Sequence, residues 1–136
     1  MIGPRDVFER MRHNWLRSDP RGFADLLADD AVIELPFAAA RFESRAAFVA
    51  FAQPRQAGFP VRFEDVRNVL IHDTADPEVI VVEYELVGRH TGTGHTASAP
   101  FIGVLRVHDG QITGWREYQD SAAIAAALAA PAGQGR

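Results

Sequence analysis

The chain has 136 residues, no cysteine and a formal net charge of −4 at pH 7. Its length suits one domain that buries about two thirds of the surface of the unfolded chain, and the lack of cysteine excludes disulfides and thiolate metal sites. The fourteen arginines are scattered among eighteen acidic residues, which disfavours a nucleic-acid partner, and without a signal peptide or a membrane-length apolar run we expect a cytoplasmic protein.

Three helices and one strand are predicted in the first half of the chain. Residues 4–17 read as an amphipathic helix with a proline in its first turn. Its apolar residues recur at helical spacing: Val7, Phe8, Met11 and Trp15. A short second helix stops at Asp29 and Asp30, before a strand over residues 31–35. The third helix starts at Ser44, whose hydroxyl can cap it, and Pro54 is predicted to stop it.

Four long β segments fill the second half and predict an antiparallel meander. Their predicted bounds are residues 61–73, 79–89, 96–107 and 111–119. A short helical run is predicted over residues 122–130, and residues 131–136 are predicted to be a disordered tail. Helices followed by an antiparallel sheet indicate a single α+β domain over residues 1–130.

The last two strands are predicted to form a hairpin at Asp109-Gly110. A two-residue type I′ turn would pair Ile102 with Glu117, whereas a three-residue loop over residues 108–110 would set Phe101, Gly103 and Leu105 beside Trp115, Glu117 and Gln119. A slip of one residue turns every side chain to the opposite face, so the register decides where Glu117 points. Composition leaves both registers open.

Two segments resemble the SnoaL-like, ketosteroid-isomerase-like branch of the nuclear transport factor 2-like superfamily: FADLLADDAVIELPF, residues 23–37, and HDGQITGWREYQD, residues 108–120. The resemblance covers residues 4–128. It implies a cystatin-like, cone-shaped fold in which three N-terminal helices and a strongly curved antiparallel sheet enclose an apolar pocket. It also implies the three-residue register, which aims Glu117 into that pocket.

The resemblance implies some reactions and disfavours others, because this scaffold hosts isomerases, cyclases, hydrolases and binding proteins. The base, the tyrosine and the neutral aspartic acid of ketosteroid isomerases fall on Leu35, Met11 and Gly103 here, and none of these can transfer a proton. The motif WREYQD instead matches SnoaL-like polyketide cyclases, limonene-epoxide-hydrolase-like enzymes and PhzA/PhzB-type proteins, which implies that Glu117 is the catalytic residue. The polar partner that the cyclases also use is replaced by Gly103.

In an apolar pocket, desolvation would raise the pKa of Glu117 and let its carboxyl group exchange protons near neutral pH. The expected function is isomerase, cyclase or epoxide-hydrolase chemistry on a hydrophobic metabolite, typical of bacterial secondary metabolism, without a cofactor or metal. His13 is a candidate second proton carrier at the rim. The residues predicted to line the pocket are Met11, Trp15, Leu35, Phe101, Gly103, Leu105, Trp115 and Gln119.

Three alternatives stay open. Glu117 could pair with Arg106 or Arg116 on a solvated surface, since single glutamates on strands are usually solvated. The protein could bind a hydrophobic ligand without converting it, which the apolar residues at the isomerase positions favour. It could also be an interaction domain whose pocket is filled by its own side chains.

Other polar residues are predicted to be structural. His90 and His95 flank a glycine-rich turn without a third ligand at suitable spacing, which argues against a metal site. Glu83 and Glu85 alternate with Tyr84, so the two acids share the outer face of the sheet. The resemblance implies a homodimer through that outer face. The apolar residues predicted to point outward are Ile102, Val104, Ile112 and Tyr118.

Overall fold

A computed structural model describes residues 2–19 and 21–133 of the chain. The helices are α1 (Pro4–Arg17), α2 (Gly22–Leu26), α3 (Arg45–Ala57) and α4 (Ser121–Gly133), with a 3₁₀ turn at Pro36–Ala38. The strands are β1 (Leu27–Leu35), β2 (Ala40–Phe42), β3 (Val61–Asp73), β4 (Val79–His90), β5 (Thr96–His108) and β6 (Gln111–Gln119). This order confirms the predicted α+β class. No helix within the described ranges has the length and apolar character needed to cross a bilayer.

The six strands form one curved sheet with the order β2-β1-β6-β5-β4-β3. Strands β3 to β6 are the predicted antiparallel meander. Strand β1 pairs with β6 in parallel, which sets Ile33 beside Trp115. The first and last strands therefore meet near the middle of the sheet, and β6 has a neighbour on both sides.

The hydrophobic core lies between α1 and the inner face of the sheet. Val7, Phe8 and Met11 of α1 are fully buried, and α1 contacts β3, β4 and β5. Trp15 is half-buried and packs against the same core. The apolar stripe predicted for residues 4–17 is therefore the face that the helix turns to the sheet.

The observed bounds differ from the predicted ones around β1. Helix α2 ends at Leu26, and β1 begins at Leu27. The prediction that Asp29 and Asp30 end a helix is wrong, because both lie inside β1. Pairing with β6 is irregular between Leu27 and Val32, and the two acids are exposed within that irregular stretch.

The ends of α3 and α4 also lie beyond their predicted positions. The Ser44 hydroxyl accepts the backbone N–H of Ala47 at 3.0 Å, as the predicted cap requires. Pro54 does not stop α3, which continues to Ala57 because the proline lies in its last turn and removes few backbone hydrogen bonds. Helix α4 runs through an alanine-rich segment of high helix propensity to Gly133. Residues 134–136 of the predicted tail lie outside the described residues.

The β5–β6 hairpin combines the turn of one predicted alternative with the side-chain orientation of the other. Asp109 and Gly110 both have positive φ, 50° and 76°, which is the signature of a two-residue type I′ turn. A bulge at Thr113 then adds one residue to β6 and shifts the pairing. Beyond the bulge, Gly103 lies opposite Glu117, so Glu117 points to the inner face, the direction that the family resemblance implied.

The bulge also changes which face Ile112 occupies. The prediction that Ile112 points outward is wrong, because the extra residue reverses the alternation and leaves this side chain fully buried. Ile102, by contrast, is 43% exposed on the outer face, and Tyr118 is half-buried there. The homodimer through this face stays a prediction.

Candidate functional site

Glu117 lies on the inner face of β6, in the middle of the sheet. Trp115, Glu117 and Gln119 alternate along the strand and share that face. Gly103 of β5 lies opposite Glu117. On the other side, Ile33 pairs with Trp115, so Leu35 of β1 is level with Glu117 on the same face.

Two neutral side chains donate hydrogen bonds to the half-buried carboxylate of Glu117. Gln119 Nε2 donates to Oε2 at 2.6 Å, and the Tyr84 hydroxyl donates to Oε1 at 3.4 Å. The arginines considered as surface partners lie elsewhere: Arg106 pairs with Asp76, and Arg116 lies 4.0 Å from Glu34. Glu117 is therefore held by uncharged donors on the inner side of the sheet.

This environment changes the protonation equilibria of both ionisable groups. Burial raises the pKa of Glu117, and the hydrogen bonds from Gln119 and Tyr84, together with the nearby Trp115 indole, offset only part of the rise. Burial, together with the nearby charge of Glu117, raises the pKa of Tyr84 well above its ordinary value. The phenol therefore stays protonated and can donate, while the carboxyl group can exchange a proton closer to neutral pH.

Aromatic rings fill much of the space in front of the carboxylate. The Tyr84 ring stacks between those of Trp15 and Phe101, with centroid distances of 5.2 Å and 5.5 Å. The edge of Phe8 also approaches Trp15, at 6.1 Å. A ligand that reaches Glu117 would thus meet flat aromatic surfaces.

The indole of Trp115 occupies the space beside Gly103. A Cβ atom placed on Gly103 would lie 2.0 Å from Cη2 of Trp115, far closer than real contacts allow. Gly103 is therefore the residue that lets the indole lie flat against β5. Aromatic carbon therefore occupies the space beside the Gly103 position of β5.

The other predicted pocket residues divide into two groups. Met11 and Leu105 are fully buried, and Leu35 is half-buried at the end of β1. His13 is exposed and contacts Arg17, so the structure does not bring it to Glu117. Residues two positions apart on a helix point about 200° apart, which puts His13 on the face opposite Met11.

Tyr84 is the site residue that the sequence reasoning missed. The alternation along β4 correctly placed it on the face opposite Glu83 and Glu85, and it is 3% exposed. Its proximity to Glu117 depends on the pairing of β4 with β5 and of β5 with β6. With the register known, Tyr84 and Glu117 could have been predicted to lie near each other, because both point to the inner face and their strands are separated only by β5.

The surface grooves and the histidines do not form a stronger candidate site than the surroundings of Glu117. Three surface grooves have volumes of about 580, 740 and 520 Å³, and Glu117 lines none of these three. The first lies between α2 and α3, and the third between α1 and α2. The second is lined by outer-face residues together with Tyr84, Phe101 and Gln119, so it adjoins the Glu117 site. Across residues 2–19 and 21–133, no cluster of His, Asp and Glu has a metal-binding arrangement. The ring of His90 accepts the backbone N–H groups of Gly92 and Thr93, which is a turn-forming role.

The raised pKa of Glu117 predicts how stability depends on pH. The folded state holds this proton more tightly than the unfolded chain does, so stability falls as pH rises from about 4 through the folded pKa. We expect Glu117→Gln to remove this loss, and so to make the variant relatively more stable at about pH 8 than at about pH 4. Urea unfolding of both proteins across this range measures the difference. An equal difference at both ends would contradict a raised pKa.

Comparison with known proteins finds relatives over most of the chain. The family model described as "SnoaL-like domain" matches residues 8–115, a region that ends two residues before Glu117. An uncharacterised PhzA/B-like protein of Pseudomonas aeruginosa is 35% identical over 104 residues, which cover 74% of this chain and 72% of the relative.

Solved structures share the fold at lower identity. A candidate isomerase of Bacillus subtilis has a TM-score of 0.80 and 20% identity, covering 92% of this chain and 91% of its own. A candidate polyketide cyclase of Xanthomonas campestris has a TM-score of 0.74 and 22% identity, with coverage of 92% and 96%. A Δ5-3-ketosteroid isomerase of Mycobacterium sp. has a TM-score of 0.69 and 23% identity, with coverage of 90% and 97%. These likenesses establish the cone-shaped fold.

Proposed function

We propose that this chain, which belongs to the SnoaL-like domain family, transfers a proton within a hydrophobic small molecule in an isomerase- or cyclase-type reaction, with Glu117 as the proton carrier. The observation that carries the proposal is the inward Glu117 carboxylate, held by two neutral donors among aromatic side chains. A carboxylate in such surroundings is a stronger base than one in water, because less solvent stabilises its charge.

The type of reaction is supported by what the fold hosts elsewhere. Of the three similar structures named above, one is an isomerase, one a candidate isomerase and one a candidate polyketide cyclase, and both types of reaction move protons on carbon skeletons. The base would differ in position from that of ketosteroid isomerases, because Leu35 stands where those enzymes are expected to have theirs. Aromatic and aliphatic walls favour a hydrophobic substrate over a charged one.

A second candidate function is the binding of a hydrophobic ligand without turnover. The indole of Trp115 against Gly103 favours it, since this packing leaves no room for a polar partner on β5. A binding protein would keep its affinity for a ligand whatever the protonation state of Glu117. An enzyme would lose turnover when that carboxyl group is removed.

The experiment uses 5-nitrobenzisoxazole, a flat apolar probe that reports a general base without knowledge of the natural substrate. A carboxylate removes the proton on its ring carbon, the N–O bond breaks, and the coloured cyanophenolate product is released. We expect the protein to exceed the rate of acetate at equal concentration, with a rate that rises with pH as Glu117 ionises. A rate equal to that of acetate across the pH range would refute the enzymatic proposal.

A further inference from the structure

The two oxygens of the Glu117 carboxylate are held very differently. Oε2 accepts a short hydrogen bond of 2.6 Å from the Gln119 amide, two residues along the same strand. Oε1 accepts a bond of 3.4 Å from the Tyr84 hydroxyl, a length at which hydrogen bonds are weak. A ligand can therefore displace the contact at Oε1 at lower cost than the contact at Oε2.

We propose that Gln119 is a positioning residue that holds Oε2 of Glu117 and leaves Oε1, the oxygen facing Tyr84, as the atom that exchanges the proton. The inference rests on the proposed function of Glu117. The assignment of Oε1 is also consistent with what each oxygen can do after Glu117 has taken up a proton. When Oε1 takes the proton, Oε2 becomes the carbonyl oxygen of the acid and still accepts from the amide, so the Gln119 bond persists in both states.

The contact of Tyr84 with Oε1 fits this assignment of the two carboxylate oxygens. A ligand group that replaces the Tyr84 contact at Oε1 frees the Tyr84 hydroxyl to donate to the ligand. Tyr84 is the one titratable group among the neighbours identified for Glu117, so no charged neighbour competes for the proton there. Those neighbours are Leu35 from β1, Tyr84 from β4, Gly103 from β5, and Trp115 and Gln119 from β6.

The first test is a titration of Glu117 by carbon-13 NMR on protein labelled at the glutamate side chains, with the Glu117 signal assigned by its absence in Glu117→Gln. Gln119→Leu removes a donor to the ionised carboxylate, so we expect it to raise the pKa of Glu117. Tyr84→Phe should raise the pKa less, because its bond is longer. Gln111→Leu, the same change at the exposed start of β6, is the matched control and should leave it unchanged.

The second test is elimination of 5-nitrobenzisoxazole at a pH above the Glu117 titration in every variant. We expect Gln119→Leu to lower kcat by about tenfold with little change in KM, although its carboxylate is the stronger base, because the reacting oxygen is no longer oriented. Gln119→Met, unbranched and of similar length, repeats the test if the leucine variant does not fold. The control Gln111→Leu should match the wild-type protein.

The outcomes separate this inference from the proposed function. If Glu117→Gln abolishes elimination while Gln119→Leu matches its control in both tests, Gln119 has no positioning role. A higher kcat in Gln119→Leu would show that the stronger base is not offset by any loss of orientation, and would overturn the inference as well. If elimination does not depend on Glu117 at all, the proposed function fails, and the role of Gln119 fails with it.

Discussion

Glu117→Gln is expected to lower kcat/KM for 5-nitrobenzisoxazole by about a hundredfold or more, the typical contribution of a general base. The amide keeps the size of the side chain, and its single oxygen can still accept from Gln119 while its NH2 group faces the Tyr84 hydroxyl oxygen, but it cannot take up a proton. The loss should appear in kcat while KM stays similar, since the walls of the site are unchanged. Initial rates at the plateau of the pH profile give both constants.

Glu83→Gln is the matched control for this prediction. Glu83 lies on β4 beside Tyr84 but points to the outer face, where it pairs with His72 at 2.6 Å. The control removes one carboxylate without touching the inner face, so it should keep the wild-type rate. If both variants lost activity equally, the elimination would come from the surface charge of the protein and not from Glu117.

Gly103→Ala is expected to destabilise the protein by about 3 kcal/mol, at the upper end of the cost of overpacking a core. The new methyl group would lie 2.0, 2.5 and 2.8 Å from three atoms of the Trp115 six-membered ring, so the whole indole would have to move. Alanine otherwise favours a strand over glycine by about 0.5–1 kcal/mol, which works against the loss. The midpoint of urea unfolding measures the net effect.

Two further variants separate a steric clash from a general intolerance of substitution. Gly114→Ala is the control, because a Cβ there meets Arg106 at an ordinary 3.5 Å. It should leave stability unchanged or slightly higher. Trp115→Phe removes the ring atoms that clash, so Gly103→Ala should cost much less when added to it. Additive costs in the double variant would contradict the packing described for Gly103.

Much of the fold could be predicted because local signals agree with the tertiary structure. Helix α1, strand β3 and strand β6 have the predicted bounds, since Pro4 and the turn residues mark where they begin and end. The short strand β2 was missed, because three residues carry no readable alternation. The end of α2 was misplaced because strand pairing with β6 draws Leu27 into β1.

The geometry around Glu117 could be predicted only in part. Its inward direction came from the family resemblance, because the Asp109-Gly110 turn alone specifies the opposite register. The bulge at Thr113 turns Glu117 inward in spite of the two-residue turn, and the threonine side chain gives no indication of a bulge. Tyr84 was missed because its contact with Glu117 spans two strand pairings, which composition does not encode.

The parallel pairing of β1 with β6 has a consequence for how the chain acquires its native form. Ile33 pairs with Trp115, which is synthesised much later, so β1 lacks its neighbour β6 until the meander is nearly complete. Closing so long a loop is entropically costly and slows folding. Leu35 comes level with Glu117 through the same pairing, so the Glu117 carboxyl group gains its neighbour from β1 only when β1 joins β6.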